Sequence, residues 1–204
     1  MKQSKDMKVI GITGGVGSGK SALLTYMKET YNCVVILADE AAHELEAPGQ
    51  PCYEMLVGLL SPDILNGDGT IDKGKMARKI FRSGELLEKV NDIIHPAVRK
   101  MILGRIAEER EKGQADFLFL EAALLIENGY LDIVDEMWYI YAEEEVRRSR
   151  LRETRHYPDE KIDAIMKSQL DEETFRKNCC FVIDNSGKLA EAYRQIDRKL
   201  GGRL

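Results

Sequence analysis

Apolar residues along this chain fall into two kinds of run. Five short stretches, Val9–Thr13, Cys33–Leu37, Phe117–Leu120, Met137–Tyr141 and Cys180–Ile183, are almost continuously apolar and do not alternate with polar residues. Strands of that kind are covered on both faces, as in a parallel sheet held between layers of helices. Between them the apolar residues recur at helical spacing. The pattern therefore predicts an α/β fold with a parallel sheet of about five strands flanked by helices.

The strands are unevenly spaced. The first two are close together, but some eighty residues separate the second from the third. That interval carries helical patterns at Tyr53–Leu60, Lys73–Arg82, Gly84–Ile94 and Ala97–Lys112, with turn signals at Pro48-Gly49, Ser61-Pro62 and Asn66-Gly67-Asp68-Gly69. His95-Pro96 reads as a break between two of these helices, because the residue before a proline avoids the α region. The whole is expected to be one domain. Its nucleotide-binding core comprises residues 1–47, 114–145 and 178–204, with a helical acceptor-binding insert at 48–113 and a lid at 146–177.

Composition narrows the function classes. A net charge of −5 argues against a general nucleic-acid binder. No apolar run is long enough to span a bilayer, and Met1–Asp6 reads as a polar lead-in to the first strand, without the apolar core of a secretory signal. Cys33, Cys52, Cys179 and Cys180 show no C-x-x-C spacing, so free thiols in a reducing cytoplasm are expected. Cys179 and Cys180 are expected on opposite faces of a strand.

The chemistry concentrates after the first strand, where Gly14-Gly-Val-Gly-Ser-Gly-Lys-Ser21 matches the P-loop pattern G-x-x-x-x-G-K-S. Gly14, Gly15, Gly17 and Gly19 allow a tight turn whose N–H groups point at a phosphate. Val16 and Ser18 complete that cradle. Lys20 can reach the β- and γ-phosphates, the Ser21 hydroxyl can ligate Mg²⁺, and the following helix adds its positive end. ATP with Mg²⁺ is the expected ligand. The chain is too short for a helicase or transporter ATPase core and has no guanine-reading N-K-x-D stretch. A small-molecule phosphotransferase fits best; a nucleotide-binding regulatory protein is the alternative from another class.

Phosphoryl transfer to a hydroxyl needs a proton acceptor, and Asp39 ends the second apolar run. Asp39 is read as general base or as the group that orients the acceptor, with capping of the next helix as its structural alternative. Glu121, which ends the third run, can hold Mg²⁺ through water, touch the acceptor or simply close the strand. Arg147, Arg148, Arg150, Arg152 and Arg155 crowd into nine residues, more than matching a helix dipole requires. Some of them are expected to form a phosphate clamp in a lid.

Gly11-Ile-Thr-Gly-Gly-Val-Gly-Ser-Gly-Lys-Ser21 with Asp39 after strand two resembles the dephospho-coenzyme A kinase family. Ile80-Phe81, Ile94-His95-Pro96, Leu124-Leu125-Ile126-Glu127, Gln169 and Ile183-Asp184-Asn185 agree in order along nearly the whole chain. The resemblance implies transfer of the ATP γ-phosphate to the ribose 3′-hydroxyl of dephospho-CoA by a cytoplasmic monomer or small homo-oligomer. By position it implies that residues 14–21 hold the ATP phosphates and that Asp39 serves the hydroxyl. Arg148, Arg152 and Arg155 would act from the lid, and Asp184 and Asn185 would lie beside adenine. Lys73, His95 and Glu121 would meet the acceptor. The chain departs from the family at Glu121-Ala122-Ala123, where Asp-x-Pro is usual, and at Asp72-Lys73, where an arginine is usual. Lysine is a point charge without a bidentate fork. A kinase for another nucleoside or nucleotide acceptor is thus the second enzymatic reading.

Overall fold

A computed structural model describes residues 7–81, 83–122 and 124–201. The polar lead-in at Met1–Asp6, the C-terminal end of the helix expected over Lys73–Arg82 and the Ala123 departure lie at or beyond the edges of these stretches. The chain forms two compact units, residues 1–35 with 109–204, and residues 36–108.

The first unit is built on a five-stranded parallel sheet of order β2-β3-β1-β4-β5, with β1 Lys8–Thr13, β2 Cys33–Leu37, β3 Phe117–Glu121, β4 Glu136–Tyr141 and β5 Phe181–Asp184. All five expected strands are present to within a residue or two. Burial follows the order: the three inner strands are buried along nearly their whole length, whereas β2 and β5 at the edges are half-covered. This is why the inner strands read as uninterrupted apolar runs. The flanking helices are α1 Lys20–Thr30, α6 Glu144–Arg155, α7 Asp159–Lys167, α8 Glu172–Asn178 and α9 Leu189–Leu200. Trp138 and Phe119 are fully buried, their rings 6.2 Å apart at the centre of the sheet. Tyr26 and Tyr31 both donate to Asp197 Oδ1, at 2.7 and 2.5 Å, which fastens α1 to α9.

Order 2-3-1-4-5 places β1 at the switch point: the chain leaves β1 toward β2 on one side and reaches β4 on the other. Ligands of open α/β sheets bind at the carboxyl end of the strands at such a point. The P-loop follows β1 directly.

The second unit comprises α2 Ala38–Leu45, α3 Pro51–Leu60, α4 Lys73–Ile80 and most of α5 Gly84–Lys112. Here the expected break at His95-Pro96 is corrected, because α5 runs through Pro96 without interruption. Proline removes one backbone donor. However, Val90, Val98, Ile102 and Ile106 are buried at spacings of eight, four and four, a single apolar stripe along one face that holds both halves in line. The cysteines are free; Cys179 is buried and Cys180 exposed, just before β5 begins.

At the amino end of the sheet Glu136 accepts from Lys8 Nζ and, at 2.7 Å, from Trp138 Nε1, with Lys199 Nζ at 3.3 Å. Burial acts to raise its pKa, but the three donors outweigh it and hold the carboxyl below the usual glutamate range. A carboxylate whose pKa is lowered by folding stabilises the protein above its unfolded pKa, and that contribution is lost as pH falls through the folded value. Glu136→Gln is therefore expected to flatten the fall of Tm between about pH 5 and pH 3. An unchanged acid limb in calorimetric melts would remove Glu136 from that account.

Candidate active site

The loop from Gly14 to Gly19 is held by contacts on its outer side. Gly14, Gly17 and Gly19 have φ of 149°, 78° and 91°, a region other residues seldom adopt. Space constrains them as well. A Cβ on Gly14 would lie 2.4 Å from Ile140 O, one on Gly17 2.9 Å from Arg147 O, and one on Gly19 2.3 Å from Asn185 Nδ2. Gly15 has an ordinary φ, yet its Cβ position is filled by the Arg147 guanidinium. The glycines thus let β4, α6 and the segment after β5 approach the loop backbone closely.

Lys20 begins α1, with Gly19 as its left-handed N-cap and no acidic residue in its first turn. The positive end of the helix therefore faces the loop without a carboxylate of its own to oppose it. Lys20 Nζ donates to Gly14 O at 2.7 Å and stands 3.8 Å from Glu121 Oε1. Glu121, expected as a strand-end acid, lies at the end of β3 opposite Ile12 of β1. The Ser21 side chain is exposed in the first turn of α1. Ser21 and Glu121 offer the hard oxygen donors that suit Mg²⁺. No cluster of three or more His, Cys, Asp or Glu that could cage a metal occurs among the described residues.

Three buried side-chain atoms have no hydrogen-bond partner among the described residues: Thr13 Oγ1, Ser18 Oγ and Asn185 Oδ1. Ser18 is in the loop, Thr13 ends the strand just before it, and Asn185 donates to it. An orphaned buried polar atom costs about 1–3 kcal/mol, and such costs are characteristically concentrated at functional sites.

The arginines of α6 divide by helical phase. Arg148, Arg152 and Arg155, the residues expected to clamp phosphate, share one face of the helix, where Arg148 and Arg152 meet acids of α6 and α7. Arg148 pairs with Glu144 at 2.8 Å and Asp163 at 2.6 Å, and Arg152 with Asp159 at 2.8 Å; Arg155 is exposed. Arg147 and Arg150 face the P-loop. Arg147 Nε donates to Val16 O at 2.9 Å, and its terminal nitrogen donates to Gln169 Oε1 at 2.7 Å. Arg150 donates to Gly17 O and Ser18 O at 3.4 and 3.3 Å, and to Asn185 O at 2.8 Å. Sequence reasoning passed over this second face, although a signal was present. Leu151 is buried in an otherwise charged run, and Arg147 stands four positions before it on the same side of the helix, with Arg150 three positions after Arg147 on that side too.

Asn185, expected beside adenine, is buried beneath the loop, with Nδ2 on Ser18 O at 2.7 Å. Its side chain buttresses the phosphate loop. Asp184 is exposed and accepts from Ser186 N at 2.9 Å, closing a turn.

The remaining predicted residues belong to the second unit. Asp39 sits inside the first turn of α2, whose N-cap is Leu37, so the capping alternative is corrected: the helix begins at Ala38, two residues earlier than an Asp39 cap would place it. Lys73 opens α4, which is capped by Asp72 accepting from Lys75 N. Partial desolvation lowers the Lys73 pKa, and the Asp39 carboxylate opposes that shift, so these two groups lie within electrostatic reach of each other. His95 lies within α5, half-buried.

The family model for dephospho-CoA kinase matches residues 8–191. A dephospho-CoA kinase from Corynebacterium jeikeium is 36% identical over 196 residues, covering 96% of this chain and 100% of its own length. One from Carboxydothermus hydrogenoformans is 34% identical, with 93% and 91% covered. Among solved structures, TT1252 from Thermus thermophilus superposes with a TM-score of 0.81 at 28% identity, over 97% of this chain and 98% of that one. The dephospho-CoA kinase from Campylobacter jejuni, at 21% identity, covers 95% of each chain with a TM-score of 0.70 and speaks for the fold alone.

Gly17→Ala tests the crowding on the loop. An alanine held at positive φ costs about 1–2 kcal/mol in backbone terms alone, and here its Cβ also meets α6. The variant is expected to melt at lower temperature and to bind Mg-ATP at least about tenfold more weakly in calorimetric titration. Wild-type affinity would show that the loop accommodates a side chain there.

Proposed function

This chain belongs to the dephospho-CoA kinase family, and from that premise we propose how its own residues carry out the reaction. The enzyme is an ATP-dependent phosphotransferase that phosphorylates a hydroxyl of dephospho-CoA, a step of CoA biosynthesis. In our reading the acceptor is the ribose 3′-hydroxyl and the products are CoA and ADP.

The observation that carries the residue assignments is the P-loop with Lys20 at the switch point of a parallel sheet. The N–H groups of residues 14–21 that face inward bind the β- and γ-phosphates. The Lys20 ammonium moves from Gly14 O onto phosphate oxygens and stabilises the charge that shifts toward the β–γ bridge during transfer. Ser21 and Glu121 are the residues that would hold Mg²⁺. The cation, when bound, supplies charge neutralisation on the phosphates.

In the second unit Asp39 accepts the hydrogen bond of the acceptor hydroxyl and takes its proton as the oxygen attacks the γ-phosphorus and ADP departs. Lys73 stands within electrostatic reach of the same carboxylate. Lys73 and His95 then contribute to holding the acceptor. Arg148, Arg152 and Arg155 belong to a lid, residues 146–177, in which α6 and α7 are tied by the Arg148–Asp163 and Arg152–Asp159 pairs. Closing it excludes water, so that phosphate reaches the acceptor instead of being hydrolysed. No helix among the described residues is long and apolar enough to cross a membrane. We take the enzyme to work in the cytoplasm as a monomer or small homo-oligomer, with no nucleic-acid partner.

The test is ADP release by the purified protein with Mg-ATP, offered dephospho-CoA beside a panel of nucleosides and nucleoside monophosphates. Saturable turnover with dephospho-CoA, yielding CoA by mass, is expected. Turnover only with another acceptor would assign Lys73 and Glu121 to a changed acceptor site. For Asp39→Asn, kcat is expected to fall by about 10²–10⁴-fold while ATP affinity is spared, the range typical of a lost general base. Equal loss of both would make Asp39 a structural residue.

A further inference from the structure

Val16 at the loop tip is flanked by glycine on both sides, Gly15 and Gly17. Glycine neighbours leave its two peptide planes free to turn, and those planes set where the adjoining N–H groups point. Yet both backbone polar groups of Val16 are engaged from outside. Its N–H donates to Gln169 Oε1 at 3.2 Å, and its C=O accepts from Arg147 Nε at 2.9 Å. The ring closes because the Arg147 terminal nitrogen donates to the same Gln169 oxygen at 2.7 Å. One guanidinium edge thus grips a loop carbonyl and, through a shared amide oxygen, the N–H of the same residue. Gly15, buried beneath the guanidinium, leaves room for it.

We propose that Arg147 and Gln169 form a clasp that fixes the Val16 peptides and so holds the phosphate loop in its triphosphate-binding shape, which makes both of them positioning residues for ATP. This rests on the ATP-using reading of the site and adds two residues outside the phosphate cradle.

Three features support it. The bonded groups come from three separate segments, the loop, the first turns of α6 and the residue after Ser168 at the end of α7, yet they converge on one residue's backbone. Only arginine presents two parallel donors in a rigid fork, so a lysine could satisfy one acceptor but not bridge both. The guanidinium also pairs with no carboxylate among the described residues, whereas Arg148 and Arg152 on the opposite face each do. Its charge therefore adds to the positive field at a loop built for anions. Burial lowers its pKa from the usual arginine value, but an arginine so placed stays protonated at neutral pH.

The experiment measures the Kd of Mg-ATP by calorimetry, with no acceptor present, for wild type, Arg147→Ala, Gln169→Ala, the double variant and Arg147→Lys. Each alanine variant is expected to weaken ATP about ten- to thirtyfold, the loss appropriate to a charge-assisted hydrogen bond. Because the clasp acts as a unit, the double variant should be no weaker than the worse single variant within about threefold. Arg147→Lys should recover little. In steady state the loss should appear in KM for ATP, with kcat changed less than about threefold and KM for dephospho-CoA unmoved. A general loosening of the fold would not give that split.

Unchanged ATP affinity in Arg147→Ala overturns the clasp, and so does a double variant as weak as the product of the singles. If Arg147→Ala does not fold, as judged by its melting curve, Gln169→Ala and Arg147→Lys carry the same decision through the KM split. Wild-type protein that binds ATP but phosphorylates no dephospho-CoA would overturn the functional reading and leave the clasp to be judged on affinity alone.

Discussion

A phosphate loop must keep its N–H groups turned inward, although a run of glycines has more conformations available than any other sequence. The first unit of this protein resolves that conflict from the outside. Gly14 lies against the Ile140 carbonyl, Gly17 beneath the backbone of α6, and Gly19 against the Asn185 amide. Val16, Gly17 and Ser18 each present a carbonyl to an arginine of α6. The freedom that lets the chain take this shape is thereby removed by its neighbours, so the loop is ordered before a ligand contributes. Preorganised donors of this kind stabilise transferring charge without rearranging during the reaction.

Helix α6 consequently has two electrostatic jobs on two faces. Its outer arginines are matched by acids: Arg148 by Glu144 and Asp163, Arg152 by Asp159. Surface pairs of this sort add little to stability, so they serve better to set the geometry of α6 against α7 than to stabilise the fold. Its inner arginines meet carbonyls and amide oxygens instead, where a guanidinium satisfies lone pairs without neutralising its charge. The helix is anchored between the two sets by Leu151, which is buried where nearly every neighbour in sequence is charged.

The fold was legible wherever a local pattern had a single physical cause. Continuous apolar runs mark the five strands because the inner ones are covered on both faces, and the P-loop announces itself because only glycine and small residues fit its turns. Three features needed tertiary information. Pro96 reads as a stop, but the apolar stripe through Val90, Val98, Ile102 and Ile106 carries α5 past it. Asp39 reads as a cap, but α2 begins at Ala38, which moves the carboxylate into the helix. The arginine run reads as one patch, whereas a helix distributes five arginines over different faces, and composition alone does not give the phase. Sheet order was also beyond reach of the sequence, since apolar runs do not record which strands pair.

The distinction between Arg147 and Arg148 shows how far one residue's displacement changes the chemistry. Adjacent positions on a helix point about 100° apart, so neighbours of the same type meet different surroundings. Arg148 meets carboxylates, and its pKa is raised first by the Glu144 hydrogen bond and then by Asp163. Arg147 meets a loop carbonyl and a glutamine oxygen, and burial pushes its pKa down. Both remain cations, but only one leaves its charge uncompensated where a polyanion has to bind. The same reasoning accounts for Gln169 at the end of α7. A glutamate there would neutralise the Arg147 charge and set a carboxylate beside the phosphate loop, whereas an amide oxygen accepts both hydrogen bonds and adds no negative charge. Neutral acceptors around a fixed cation let the protein hold its loop firmly without spending the field that draws the triphosphate in.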